Sequence, residues 1–139
     1  MMRRKPILRV TSKVFMPFIL IYALYVQFHG DFGPGGGFQA GVIFGSSFIL
    51  YALIFGLHDC KLVLPATVLE IMSALGVLLY AGVGVVSFFM GDNFLNYNSL
   101  AHDPLHGQHY GILLVELGVG MTVFSSMTLI FYIFAGRGR

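Results

Sequence analysis

Long apolar runs separated by short polar segments organise this chain. The runs extend from about Val14 to Phe28, Phe38 to Leu57, Ala66 to Met90 and Gly111 to Ala135. Crossing the hydrocarbon core of a bilayer takes roughly 20 helical residues at 1.5 Å rise each. The first run is short by that measure, so its helix is expected to begin near residues 8–12, with Arg9 and Lys13 reaching back to the interface. The pattern predicts an all-α integral membrane protein with four transmembrane helices, at about 8–28, 38–57, 66–90 and 111–135. No internal repeat or soluble domain interrupts it, so residues 1–139 read as a single membrane domain.

Composition agrees. The chain is 57% hydrophobic and only 10% charged, with a mean hydropathy of +0.83. A soluble domain carries about 25% charged residues, more than twice as many. The placement of the charges then sets an orientation. Arg3, Arg4, Lys5, Arg9 and Lys13 precede the first span, Lys61 lies between the second and third, and Arg137 and Arg139 follow the fourth. With four spans, all of them fall on one side, and the other two loops hold only Asp31, Asp92 and Asp103. The positive-inside rule puts both termini and the Lys61 loop in the cytoplasm. No small-x-small cleavage site follows the first apolar run, so it is expected to stay as a helix rather than leave as a signal peptide. A net charge of +2 is too small to suggest nucleic acid as a partner.

Two acids fall inside the predicted spans, where a charge at the helix centre costs about 2.5–3.5 kcal/mol on insertion scales. Glu70 lies about one turn into the third span and is able to reach the interface or complement the helix N-terminus. Glu116 lies deeper, roughly 9 Å along a fourth helix that starts near Tyr110. It is a candidate for an ion path or for polar packing against a neighbouring helix. No Lys or Arg deep in the membrane is available to pair with either acid, which suggests part of a larger assembly. Ser73, Gly76, Tyr80, Gly84 and Ser87 fall within roughly 80° of arc on the third helix, with Glu70 just outside. Such a stripe packs helices in lipid or lines a narrow wet path; Tyr80 joins the two acids as a candidate on the same terms.

Metal and cofactor chemistry find little support. His102, His106 and His109 near Asp103 have suitable donor atoms, but Pro104 and Gly107 are expected to interrupt any helix that would hold their spacing. Cys60, with His58 and Asp59, has no recognisable ligand spacing and reads as a thiol near a helix end. A haem held by His29 and His109 would place both ligands at the outer edge of the bundle. The sequence therefore assigns no catalytic residue, no bound metal and no cofactor.

The densest signal is "HGDFGPGGGFQAG", from His29, with five glycines in the eight residues Gly30 to Gly37. Gly37, Gly41 and Gly45 recur every fourth position, a doubled GxxxG that strips side chains from one helix face. Pro34 suits a first helical turn, where its missing N–H would be unsatisfied anyway. The expected reading is an outside turn over Gly30 to Gly33 and a closely packed helix from Pro34 onward. There is no GxxxxGK[ST], which excludes a nucleotide phosphate loop of that type.

The string His29 to Gly56, and within it Pro34, Gly35, Gly36, Gly37 and Phe38, resembles the signature of the MnhB/MrpB family, whose members are subunits of the multisubunit Na+/H+ antiporter (the Mrp or Mnh complex). The short basic N-terminus and four spans extend the resemblance along the chain, while Asp31 departs from the family pattern. The resemblance implies an accessory, non-enzymatic membrane subunit of a proton-driven monovalent cation antiporter in a prokaryotic inner membrane. Its partners would be the other antiporter subunits and membrane lipid, with Na+ and H+ the ions carried by the complex. It would be needed for assembly and would line part of the cation path. Related subunits of redox-driven complexes such as membrane-bound hydrogenases are the alternative, and a homo-oligomeric channel is a third.

Overall fold

The computed structural model describes residues 6–30, 35–91, 93–97 and 104–137. Every regular element among them is helical: α1 (Pro6–His29), α2 (Gly37–Phe55), α3 (Leu57–Val63), α4 (Ala66–Phe89) and α5 (Pro104–Gly136). α1, α2, α4 and the Gly107–Gly136 part of α5 are long and apolar enough to cross a membrane. α3 is a single short piece between two spans. It begins after Gly56, whose φ of +108° breaks α2 in a conformation that L side chains rarely adopt. Pro65 then accepts the first backbone hydrogen bonds of α4, from Val68 and Leu69.

Two helix starts differ from the sequence expectation. α2 begins at Gly37 rather than Pro34, because Gly36 stands at φ +127° and ψ 179°, outside helical space. Gly36 is the N-cap, its carbonyl accepting from Ala40 N at 3.0 Å. α5 begins at Pro104 and runs unbroken through Gly107. Proline is well tolerated in the first helical turn, and one internal glycine costs a long helix only about 1 kcal/mol. Neither residue therefore interrupts the helix as expected.

α5 lies at the centre of the bundle, with α4 packed on one side and α2 on the other; α1 packs chiefly on α2. Glycines make the closest approaches. A Cβ on Gly41 would stand 2.7 Å from the Gly120 carbonyl oxygen, and one on Gly76 would stand 2.6 Å from that of Gly118. Between the rows of glycine, the rings of Phe44 and Phe124 meet edge to face at 5.0 Å, with Phe48 at 5.5 Å from Phe124. Such aromatic pairs add about 0.5–1.5 kcal/mol beyond the area they bury.

The core proper gathers Ala52, Cys60, Leu69, Phe124 and Tyr132, near the end of the bundle where α3 sits. Arg9 and Lys13 lie over the Phe55 ring at 5.4 and 5.8 Å, and Lys61 over that of Tyr132 at 5.5 Å. The side chains of Arg9, Lys13 and Lys61 thus collect at one end. At the opposite end, residues 93–97 fold back over the bundle, with the Phe94 ring against Gly84 and the Tyr97 ring against Gly111.

Candidate functional site

The glycine-rich segment closes around an acid from the far end of the chain. The Glu116 carboxylate of α5 lies between the end of α1 and the start of α2. A Cβ on Gly30 would stand 2.6 Å from Glu116 Oε2, and one on Gly36 would stand 2.8 Å from Oε1. The Gly37 backbone presses on that of Glu116 itself, its missing Cβ pointing at the Glu116 carbonyl oxygen. Gly36 provides no side-chain cap for α2, and the first N–H groups of a helix carry partial positive charge. The carboxylate from α5 therefore occupies the end of α2 where a negative group is favoured. This gives the acid within the span a favourable electrostatic setting.

The other family-motif residues divide by burial. Gly36, Gly37, Gly41 and Gly45 are buried against α5, whereas Phe38 is 63% exposed and turns away from the rest of the chain. Gly35 lies against the Val26 carbonyl, 3.2 Å from where its Cβ would be. Pro34, Asp31, His102 and Asp103 lie outside the described residues, as does the side chain of His106. Gly45 is the loosest of the row, with Thr128 Oγ1 3.6 Å from its Cβ position.

Glu70 and Tyr80 do not join Glu116. Glu70 is exposed in the second turn of α4, toward the basic end. Tyr80 sits at the α4–α5 crossing with its backbone N 3.2 Å from the Cβ position of Gly118, while its side chain is 39% exposed. The rest of the α4 stripe meets protein: Ser73 Oγ lies 3.4 Å from Ser126 Oγ, and Gly76, Gly84 and Ser87 are buried.

Cys60 is fully buried. Its thiol lies 3.5 Å from the Phe48 carbonyl oxygen and 3.2 Å from Tyr132 Oη, and Tyr132 Oη donates to the Leu64 carbonyl at 3.0 Å. Burial pushes the Cys60 thiol pKa up, and the Tyr132 hydroxyl only partly offsets it. A thiolate is the form that binds metal or attacks, so this cysteine is built as structure. Among the described residues no group of His, Cys, Asp and Glu is placed to hold a metal ion.

Sequence reasoning passed over one residue altogether. Gln27, on α1, is 6% exposed, and its carboxamide lies against Gly120, one turn along α5 from Glu116. Its signal was only an amide at the edge of an apolar run.

Comparison with known proteins now bears on this arrangement. The profile of a family described as a domain related to the MnhB subunit of Na+/H+ antiporter matches residues 7–129, which takes in α1 to α4 and most of α5. The chain belongs to the MnhB family. A protein of Staphylococcus haemolyticus named antiporter subunit mnhB2 is 37% identical over 134 residues, covering 94% of both chains. One of the same name in Staphylococcus aureus is 33% identical over 132 residues, covering 88% of this chain and 93% of its own. These relatives are named as transporter subunits rather than as enzymes. The glycines around Glu116 lie inside the family match, so this junction belongs to the MnhB domain.

Proposed function

We propose that this chain is an accessory membrane subunit of a multisubunit Na+/H+ antiporter, and that it acts chiefly through assembly. The family match over residues 7–129 carries the reading. The small share of each span buried within the chain supports it, since α1 has 11% and α4 22% of its most apolar window covered. Much of what remains is available to lipid and to other subunits.

Within that role, Glu116 ties the loop and α2 to α5. What supports this over a place in the ion path is the enclosure of its carboxylate by Gly30 and Gly36, with Gly37 against its backbone. Glu70, exposed and near the basic end, reaches the membrane interface. The concentration of basic residues at that end supports cytoplasmic termini in a prokaryotic inner membrane. Purifying the tagged chain from its own host and identifying its partners by mass spectrometry tests the reading. Antiporter subunits without nickel or iron–sulfur content are expected, and a redox complex carrying those metals would overturn it.

A further inference from the structure

Two cations of α1 share a single aromatic ring. The Arg9 guanidinium carbon lies 5.4 Å and the Lys13 Nζ 5.8 Å from the centroid of Phe55, the last residue of α2. Tyr51 stacks on that ring with centroids 4.7 Å apart. Phe55 is buried, although both cations over it are exposed. Among the described residues, no carboxylate pairs with Arg9 or Lys13. Like charges at i and i+4 of a helix repel, so a counter-charge from outside the chain is favoured beside them.

Their depth in the membrane decides what kind of anion that is. α1 is 24 residues long, about 36 Å at 1.5 Å rise, against a hydrocarbon core of roughly 30 Å. The Lys13 backbone stands roughly 10 Å along the helix from Pro6, inside the core boundary. Side chains of a helix lean toward its N-terminus, so both cations turn back to the level of the lipid headgroups. From Lys13 the same side of α1 continues with Pro17, Ile21 and Leu24, all exposed. Cation and apolar row thus follow one another along the helix as headgroup and acyl chain do along a lipid.

Water hydrates the two cations but brings no charge. A carboxylate from another subunit would bring one, yet its helix would have to carry an acid at the core boundary, where acids are rare. A phospholipid supplies both parts at the right levels. Its phosphodiester oxygens match the guanidinium fork and the ammonium, and its acyl chain covers the apolar row. A zwitterionic headgroup holds its own cation beside the phosphate, so a headgroup of net negative charge is preferred.

We propose that Arg9 and Lys13, gathered over the Phe55 ring, bind the phosphodiester of an anionic phospholipid, with an acyl chain lying along Pro17, Ile21 and Leu24. The ring engages one side of each cation and leaves their N–H donors for the phosphate. Lys61 lies over a different ring, that of Tyr132 at 5.5 Å, and supplies the comparison: the same charge at the same end, outside the site.

The test titrates the full chain, in a non-ionic detergent, with phosphatidylglycerol, phosphatidylcholine or inorganic phosphate and counts bound molecules by native mass spectrometry. Phosphatidylglycerol should bind more tightly than phosphatidylcholine by about five-fold or more, and inorganic phosphate should not displace it. Arg9→Gln and Lys13→Gln should each weaken phosphatidylglycerol binding about five-fold, the order expected of one cation beside an anionic headgroup. Neither should change the melting temperature in phosphatidylcholine, which separates lost binding from lost folding. Lys61→Gln should weaken binding by less than about two-fold. In the complete complex, the photo-crosslinking residue p-benzoylphenylalanine at Ile21, an exposed position, should label lipid. Equal binding of the two lipids, or an equal loss from Lys61→Gln, would overturn the site in favour of diffuse attraction. Displacement by inorganic phosphate, or crosslinks from Ile21 to protein alone, would overturn the lipid as its occupant.

Discussion

The Glu116 carboxylate and the Gly30 backbone are in contact: a Cβ on Gly30 would stand 2.6 Å from Glu116 Oε2, inside van der Waals distance. The contact joins the end of α1 to α5 and leaves the carboxylate facing the start of α2. Gly30→Ala should displace the carboxylate, a flexible group, at a cost of about 1 kcal/mol. Glu116→Ala should cost about 1–2 kcal/mol through loss of the capping charge. Combined, they should cost less than their sum, with a coupling of about 0.5 kcal/mol or more, because Gly30→Ala has nothing to displace once the carboxylate is gone. Thermal unfolding in detergent measures all three.

Glu116→Gln separates the two roles of that acid. The amide keeps the shape and one acceptor but loses the charge, worth about 0.3–1 kcal/mol beside a helix N-terminus. Sodium-dependent proton exchange by the assembled complex is expected to survive Glu116→Gln. Loss of exchange with assembly intact would move Glu116 into the ion path.

The glycines of α2 and α4 should respond to alanine in graded order. At Gly41 a Cβ meets the Gly120 carbonyl oxygen at 2.7 Å and Val123 Cβ at 2.9 Å. Backbone has to move there, at a cost of about 1–3 kcal/mol. At Gly45 the nearest atom is 3.6 Å away, so Gly45→Ala should be close to neutral. Gly82 has nothing within 4 Å, and Gly82→Ala should stabilise by about 0.5–1 kcal/mol. Melting temperatures that fall in any other order would contradict the packing.

Cys60 should resist alkylation at neutral pH. Its buried thiol titrates above the ordinary range, so the neutral form is the one the fold stabilises. That contribution is complete below the pKa of the unfolded thiol and is lost as pH rises through the folded one. Maleimide labelling of native protein should be slow at pH 7, rise only in alkali, and become rapid on denaturation. Tyr132→Phe, which leaves the Leu64 carbonyl without its donor, should cost about 1 kcal/mol and speed the labelling.

Much of this was legible in the chain. Apolar runs locate the four long helices because lipid admits only backbone satisfied within its own segment. The four-residue glycine spacing marks the face of α2 that meets α5 closely at Gly41. The junction itself was not legible, because nothing periodic links Gly30 to Glu116 so far along the chain. Helix ends were the other weak point. Gly36 takes a backbone conformation that delays α2, and Pro104 and Gly107, read as breakers, sit at the first and fourth positions of one continuous helix. Gln27 escaped notice because a lone amide beside an apolar run carries no pattern.

Sodium-dependent proton movement in everted membrane vesicles, from a host lacking its own antiporters, tests the accessory role most directly. Three preparations decide it: the complete complex, the complex without this chain, and this chain alone. A sodium-dependent collapse of the pH gradient is predicted with the complete complex and none with the other two. Exchange by the single chain, or undiminished exchange without it, would contradict that role.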